Sequence, residues 1–128
     1  MKRIAQATRL SALPVTLSHV RDIEWYDGPL MSEFVDGDGT PWVANWCDLD
    51  DTAHRWLVFS TTAKALDVYG CSDGDDACRA MRSMIADAGG GVVYLCDTDQ
   101  HEGIATTAAT WSLAPSELPE DYLPTVDG

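Results

Sequence analysis

Asp38-Gly39 lies between two apolar runs, and no other feature of this chain limits its fold as tightly. Glycine reaches positive φ without steric cost, so Asp-Gly flanked by apolar residues marks a β-hairpin. The hairpin arms are Met31–Asp36 and Pro41–Cys47; Pro41, with no amide proton, suits the first position of a strand. A second turn, Asp48-Leu49-Asp50-Asp51-Thr52, leads to a third arm, Arg55–Thr61. The stretch from Glu24 to Thr62 therefore reads as a three-stranded antiparallel meander, and it holds four of the five tryptophans.

Side chains alternate between the two faces of a strand. In the second arm Trp42, Ala44 and Trp46 share one face, and Val43, Asn45 and Cys47 the other. In the third arm Leu57 and Phe59 oppose Trp56 and Val58, so both faces are apolar. A sheet wetted on one side alternates more cleanly than this. Either both faces are covered, or one carries an aromatic patch for a partner.

The rest of the chain supplies an α+β pattern. Ala12–Val20 alternates as an edge strand that Arg21–Tyr26 extends or follows, and Asp27-Gly28-Pro29 is a turn. Thr62–Tyr69 reads as a helix capped by Thr62 and ended by a left-handed Gly70. Asp73–Ala88 reads as a second helix with a capping-box-like start and an apolar stripe of Ala77, Cys78, Met81, Met84, Ile85 and Ala88. Its Arg79 and Arg82 are expected to face water, with Asp75 and Arg79 paired. Val92–Cys96 is an apolar strand placed centrally, and Ile104–Leu113 alternates in the manner of a strand, although its Ala and Thr residues also suit a helix. Pro115, Pro119 and Pro124 exclude long regular structure from residue 114 onward, where Leu118, Tyr122 and Leu123 are placed to pin the tail. The expectation is one α+β domain over residues 1–128, with a loose start at 1–8 and an irregular tail at 114–128. Its antiparallel sheet has about five strands, with two helices mainly on one face.

The charge is lopsided: 8 Lys and Arg against 21 Asp and Glu, a net −13 over 128 residues. Such a chain repels nucleic acid and anionic membrane and suits a basic protein partner. The start, MKRIAQATRLSALP, has no unbroken apolar core of the kind a signal peptide needs, and no run approaches a membrane span. Cys47, Cys71, Cys78 and Cys96 form no CxxC pair. These features suggest a cytoplasmic protein with reduced thiols.

Chemistry-bearing motifs are sparse. Asp48/Asp50/Asp51 and Asp73/Asp75/Asp76 are carboxylate triplets of the kind hard cations take. A calcium loop nevertheless fails: begun at Asp36 its twelfth position is Cys47, and begun at Asp48 it is Phe59. Six residues separate Cys71 from Cys78, too many for a structural zinc pair. No Gly-x-Ser-x-Gly elbow is present, and Gly89-Gly90-Gly91 opens neither a phosphate loop nor a dinucleotide fingerprint. No catalytic residue, cofactor or metal is assigned. What remains is aromatic surface among acids. Trp25, Tyr26, Trp42, Trp46 and Trp56 are candidate partner-binding anchors, with Asp48, Asp50 and Asp51 as an acidic rim.

Trp25-Tyr26-Asp27-Gly28-Pro29-Leu30, the hairpin with Trp56-Leu57-Val58-Phe59, and the closing Leu118-Pro119-Glu120-Asp121-Tyr122-Leu123-Pro124 resemble a bacterial and phage family of domains of unknown function. In that family a Tyr-Asp-Gly-Pro segment precedes a β-meander and a Leu-Pro-acid-acid-Tyr-Leu-Pro segment closes the module. The resemblance implies a fold and a mobile-element origin, and no activity. The leading functional expectation is a non-enzymatic acidic protein-binding module. In its sharper form it is an inhibitor presenting carboxylates to a basic, nucleic-acid-binding surface of a host protein. The alternatives are an immunity or antitoxin-like protein that occludes a toxin, and a small metal-dependent enzyme using the Asp-rich loops.

Overall fold

The computed structural model describes residues 1–25, 29–99 and 107–126. Among them are seven strands: β1 (Thr8–Leu10), β2 (Ser18–Trp25), β3 (Pro29–Val35), β4 (Pro41–Leu49), β5 (Ala53–Ser60), β6 (Val93–Asp99) and β7 (Thr107–Leu113). Two helices, α1 (Ala63–Gly70) and α2 (Gly74–Ala86), join β5 to β6. All strands belong to one sheet in the order β1-β7-β6-β5-β4-β3-β2, and every pairing is antiparallel.

The hairpin at Asp38-Gly39 forms as the sequence requires. Gly39 takes φ +84°, and the Asp36 carboxylate gathers the Asp38 and Thr40 amides and the Trp42 indole N–H at 2.9, 3.0 and 3.0 Å. Those donors, Trp42 first, hold the Asp36 carboxyl below the ordinary carboxylate range.

The apolar alternation of β5 is satisfied on both sides. Val43, Leu57, Phe59, Val93 and Leu95 are fully buried against Leu66, Met81, Met84 and Ile85 of the helices. On the opposite face Trp42, Ala44, Trp56, Val58, Tyr94 and Cys96 form a second cluster. Leu13, Val15 and Leu17 pack against that cluster. Both faces are thus covered, one by helices and one in part by an irregular segment.

Several expectations need correction. The sheet has seven strands, not about five. Strand β1 is too short, at three residues, to show an alternation. The edge strand expected from Ala12 begins only at Ser18, because residues 11–17 leave the ladder to lie over the second cluster. The first eight residues, expected to be loose, are tied down: Lys2 Nζ reaches Asp121 at 2.8 Å, and Ile4 and Ala7 pack on the helix-side core. Gly70 is the last residue of α1 and Cys71, at φ −93°, closes it. Asp73 makes no side-chain cap on α2, and Arg79 pairs with Asp76 at 3.2 Å instead of with Asp75. Arg82 does not face open water; it donates to Pro124 O at 2.9 Å and Glu120 at 2.6 Å in the closing segment. Thr62 does cap α1, accepting from the Ala65 amide at 3.1 Å. Residues 107–113 are a strand, whereas 104–106 of that expected element lie outside the described residues.

The covering role of residues 11–17 is testable. Replacing Leu13 and Val15 together by Ser removes two half-buried apolar side chains, each returning part of the ~1.5–3 kcal/mol of full burial. A loss of about 1–3 kcal/mol by urea denaturation is expected, with increased acrylamide quenching of tryptophan emission. Unchanged quenching and stability would show that the second face does not depend on this cover.

Candidate functional site

The candidate anchors occupy different environments. Trp42 and Trp56 are each only 7% exposed. The Trp42 ring tilts against Tyr94 at 6.0 Å, and the Trp56 indole N–H donates to Thr98 Oγ1 at 3.2 Å. Trp46 is half-buried beside His54 at 5.9 Å, and its indole nitrogen is buried without an acceptor among the described residues. Trp25 lies in β2 with its side chain outside the described residues, and Tyr26 also lies outside them. The sheet does bring Trp42, Trp46 and Trp56 together on one face, with Trp46 and Trp56 directly opposite across β4 and β5. Together they form a wall of the second core cluster, not an open aromatic plane.

The three rim acids do not act as a set. Asp50 accepts from the Thr52 and Ala53 amides at 2.9 Å each and lies 3.7 Å from the terminal amine, so it builds the β4–β5 turn. Asp51 is exposed in that turn. Asp48 accepts from the Tyr122 hydroxyl at 2.6 Å and from the Lys2 amide at 3.3 Å. Its orientation follows from a bulge: Trp46 faces Trp56, but Asp48 faces Arg55, so two residues of β4 oppose one of β5. One inserted residue reverses the alternation and turns Asp48 away from the indoles.

That reversal delivers Asp48 to the most specific polar site in the structure. Arg55 shares the parity of Leu57 and Phe59, so its side chain points into the helix-side interior. Its guanidinium donates twice to Asp97, at 2.8 and 3.1 Å, and once to Tyr122 Oη at 3.0 Å. It also donates to the Lys2 carbonyl and stacks 5.1 Å from the Trp111 ring centroid, with Arg9 at 5.2 Å from the same ring. Burial alone would make Arg55 easier to deprotonate, but the bonds to Asp97 and Tyr122 outweigh it and push its pKa up. Burial and the bond to Asp48 push the Tyr122 phenol up. Burial works to raise Asp48, yet donation from Tyr122, Lys2 and Leu49 holds its carboxyl below the ordinary range. Every strong group here has a partner within the chain, so the arrangement is a fastening and offers no nucleophile or open ligand position.

Other combinations are equally closed. His19 Nε2 and Ser32 Oγ each lie 2.7 Å from Asp22 Oδ1. A nucleophilic triad needs the imidazole between hydroxyl and acid; here the acid stands in the middle and Ser32 is buried. Cys96 is buried on the indole face, and burial pushes its thiol up to about 12, which keeps it unreactive. Among the described residues no three His, Cys, Asp or Glu side chains gather as a metal set. Among the described residues no helix is long and apolar enough to cross a membrane.

Fold and site together define a small acidic α+β protein with a seven-stranded antiparallel sheet. The chain matches no protein-family model, no curated protein and no solved structure.

The Arg55 site carries a pH signature. Asp48 has a lowered pKa when folded, so its contribution is complete above the ordinary carboxylate range and disappears as pH falls through the folded value. Melting temperature is expected to be flat near neutrality and to fall below about pH 4. Tyr122→Phe removes the donor to Asp48 and the acceptor for Arg55, so a loss of about 1–3 kcal/mol at pH 7 and a shallower acid fall are expected. A Tyr122→Phe protein with wild-type stability and an unchanged acid limb would show that this contact is idle.

Proposed function

We propose that the protein is a non-enzymatic, acidic protein-binding module. The observation that carries this reading is where its charges go. Lys2, Arg21, Arg55, Arg79 and Arg82, five of the eight Lys and Arg residues, are each held by one of the chain's own carboxylates. Acids such as Asp38, Asp51, Asp67, Asp73 and Asp87 stand exposed, and the net charge of the chain is −13. A field of one sign speeds encounter with an oppositely charged partner and disfavours like-charged ones. Burial of Trp42 and Trp56 moves the emphasis from indoles to carboxylates, with Trp46 the remaining half-buried ring of that cluster. In its finer form the partner is a host protein's basic, nucleic-acid-binding surface, and the chain is a mobile-element inhibitor. The Tyr-Asp-Gly-Pro and Leu-Pro-acid-acid-Tyr-Leu-Pro segments motivate that origin.

Affinity capture from the native host at low salt, followed by a salt titration of each captured protein, tests the reading. Basic nucleic-acid-binding proteins are expected, losing at least about tenfold in affinity between ~50 and ~300 mM salt as exposed charges are screened. Substituting Asp67, Asp73 and Asp87 together by Asn is expected to weaken capture while leaving the melting temperature within a few degrees, since these side chains are exposed. Capture of neutral or acidic proteins only, indifferent to salt, would rule the reading out.

A further inference from the structure

Between the outer sides of α1 and α2 runs a groove of about 400 Å³. Ala65 and Val68 of α1 and Ala80 and Met84 of α2 give it an apolar lining. Val68 is 53% exposed, more than any other large apolar side chain among the described residues. Asp76, Ala80 and Ser83 of α2, with Asp87 just past its end, follow one another at the spacing of a single helix face. Of these, Ala80, Ser83 and Asp87 line the groove, Asp76 stands one turn before Ala80, and Lys64 of α1 lines the facing wall; the two carboxylates are roughly 16 Å apart at 1.5 Å per residue.

The surroundings narrow the occupant. Arg79 is answered by Asp76 and Arg82 by Glu120, which leaves Asp67, Asp73, Asp75 and Asp87 against Lys64 on the two helices and their connection. The Arg79–Asp76 pair is exposed on both sides, so it is weak and open to exchange with another cation. A second copy of this chain would bring another net −13 to the same face. The sheet edges offer little competition for an extended segment. β2 is interrupted by three register shifts and carries exposed Arg21, Asp22 and Glu24, while β1 is three residues long. Bulges and charges of this kind keep a strand edge from pairing.

We propose that the α1–α2 groove docks a basic amphipathic helical segment of a partner protein. The segment's apolar stripe lies on Val68 and Ala80, and its lysines or arginines meet Asp76 and Asp87. This rests on the acidic-module reading and gives it a location. Helix-in-groove recognition combines an apolar stripe at helical spacing with charges at its margins, and the groove supplies the complement of both.

The probe is a fluorescein-labelled synthetic peptide of Leu and Lys, about four helical turns long, with Leu at i, i+3, i+4 and i+7. A permuted peptide of identical composition without that spacing is the control. Fluorescence anisotropy is measured against the full chain and against Val68→Glu and Ala80→Glu. Both variants add negative charge, so attraction by charge alone predicts equal or tighter binding. Docking in the groove predicts at least about fivefold weaker binding by each variant, and preference for the periodic peptide over the permuted one. Because Val68 is exposed, Val68→Glu keeps the fold, which its melting curve verifies. Equal, salt-sensitive binding of both peptides by all three proteins would overturn the groove while leaving the acidic reading in place. No salt-sensitive binding of either peptide would overturn both.

Discussion

The Arg55 guanidinium is the point at which distant parts of this chain are fastened. It sits in the third arm of the meander, yet it bonds Asp97 on the neighbouring strand, Tyr122 in the closing segment and the Lys2 carbonyl near the start. A buried cation is costly to desolvate, and its attraction to one carboxylate repays this only when its remaining donors are satisfied. Tyr122, the Lys2 carbonyl and the face of Trp111 complete that satisfaction. Both ends of the chain are thereby drawn to one place on the helix-side face of the sheet. The Leu118–Pro124 segment then acts as part of the core, with Leu118 and Tyr122 buried.

This fastening shapes the outer surface. Cations are used internally: Arg55 in the interior, Lys2 and Arg82 on the closing segment, Arg21 across β2 and β3. Trp42 and Trp56 are used internally as well, because the second face of the sheet needs apolar volume under residues 11–17. Among the described residues exposed carboxylates outnumber exposed cations, and a shallow apolar strip lies between the helices.

Local chemistry was legible where one short stretch decides the outcome. Asp38-Gly39 marked its hairpin, Thr62 its cap, and the Met81, Met84 and Ile85 stripe its helix, because each depends on neighbours within a turn or two. The two apolar faces of Arg55–Thr61 stated correctly that the strand is covered or in use, but not by what. The cover came from Leu13, Val15 and Leu17, whose alternation mimics a strand although Pro14 and the core beneath them draw the segment off the ladder. The Arg55 site was hidden for two reasons. Its partners lie 42 and 67 residues away in the chain, and a one-residue bulge after Trp46 turned Asp48 to the opposite face. An arginine in phase with Leu57 and Phe59 was the available clue, since an inward charge demands a partner.

Hydrogen exchange on the native protein, compared between wild type and Asp97→Asn, tests the fastening most directly. The substitution removes the counter-charge and leaves the guanidinium buried, at an expected cost of about 3–5 kcal/mol. If Arg55 joins both ends to the sheet, protection is lost together at the Ala7, Tyr122 and Leu123 amides and along β5 and β6, in one cooperative step. Faster exchange confined to the closing segment, with the start of the chain and the two strands unchanged, would contradict it.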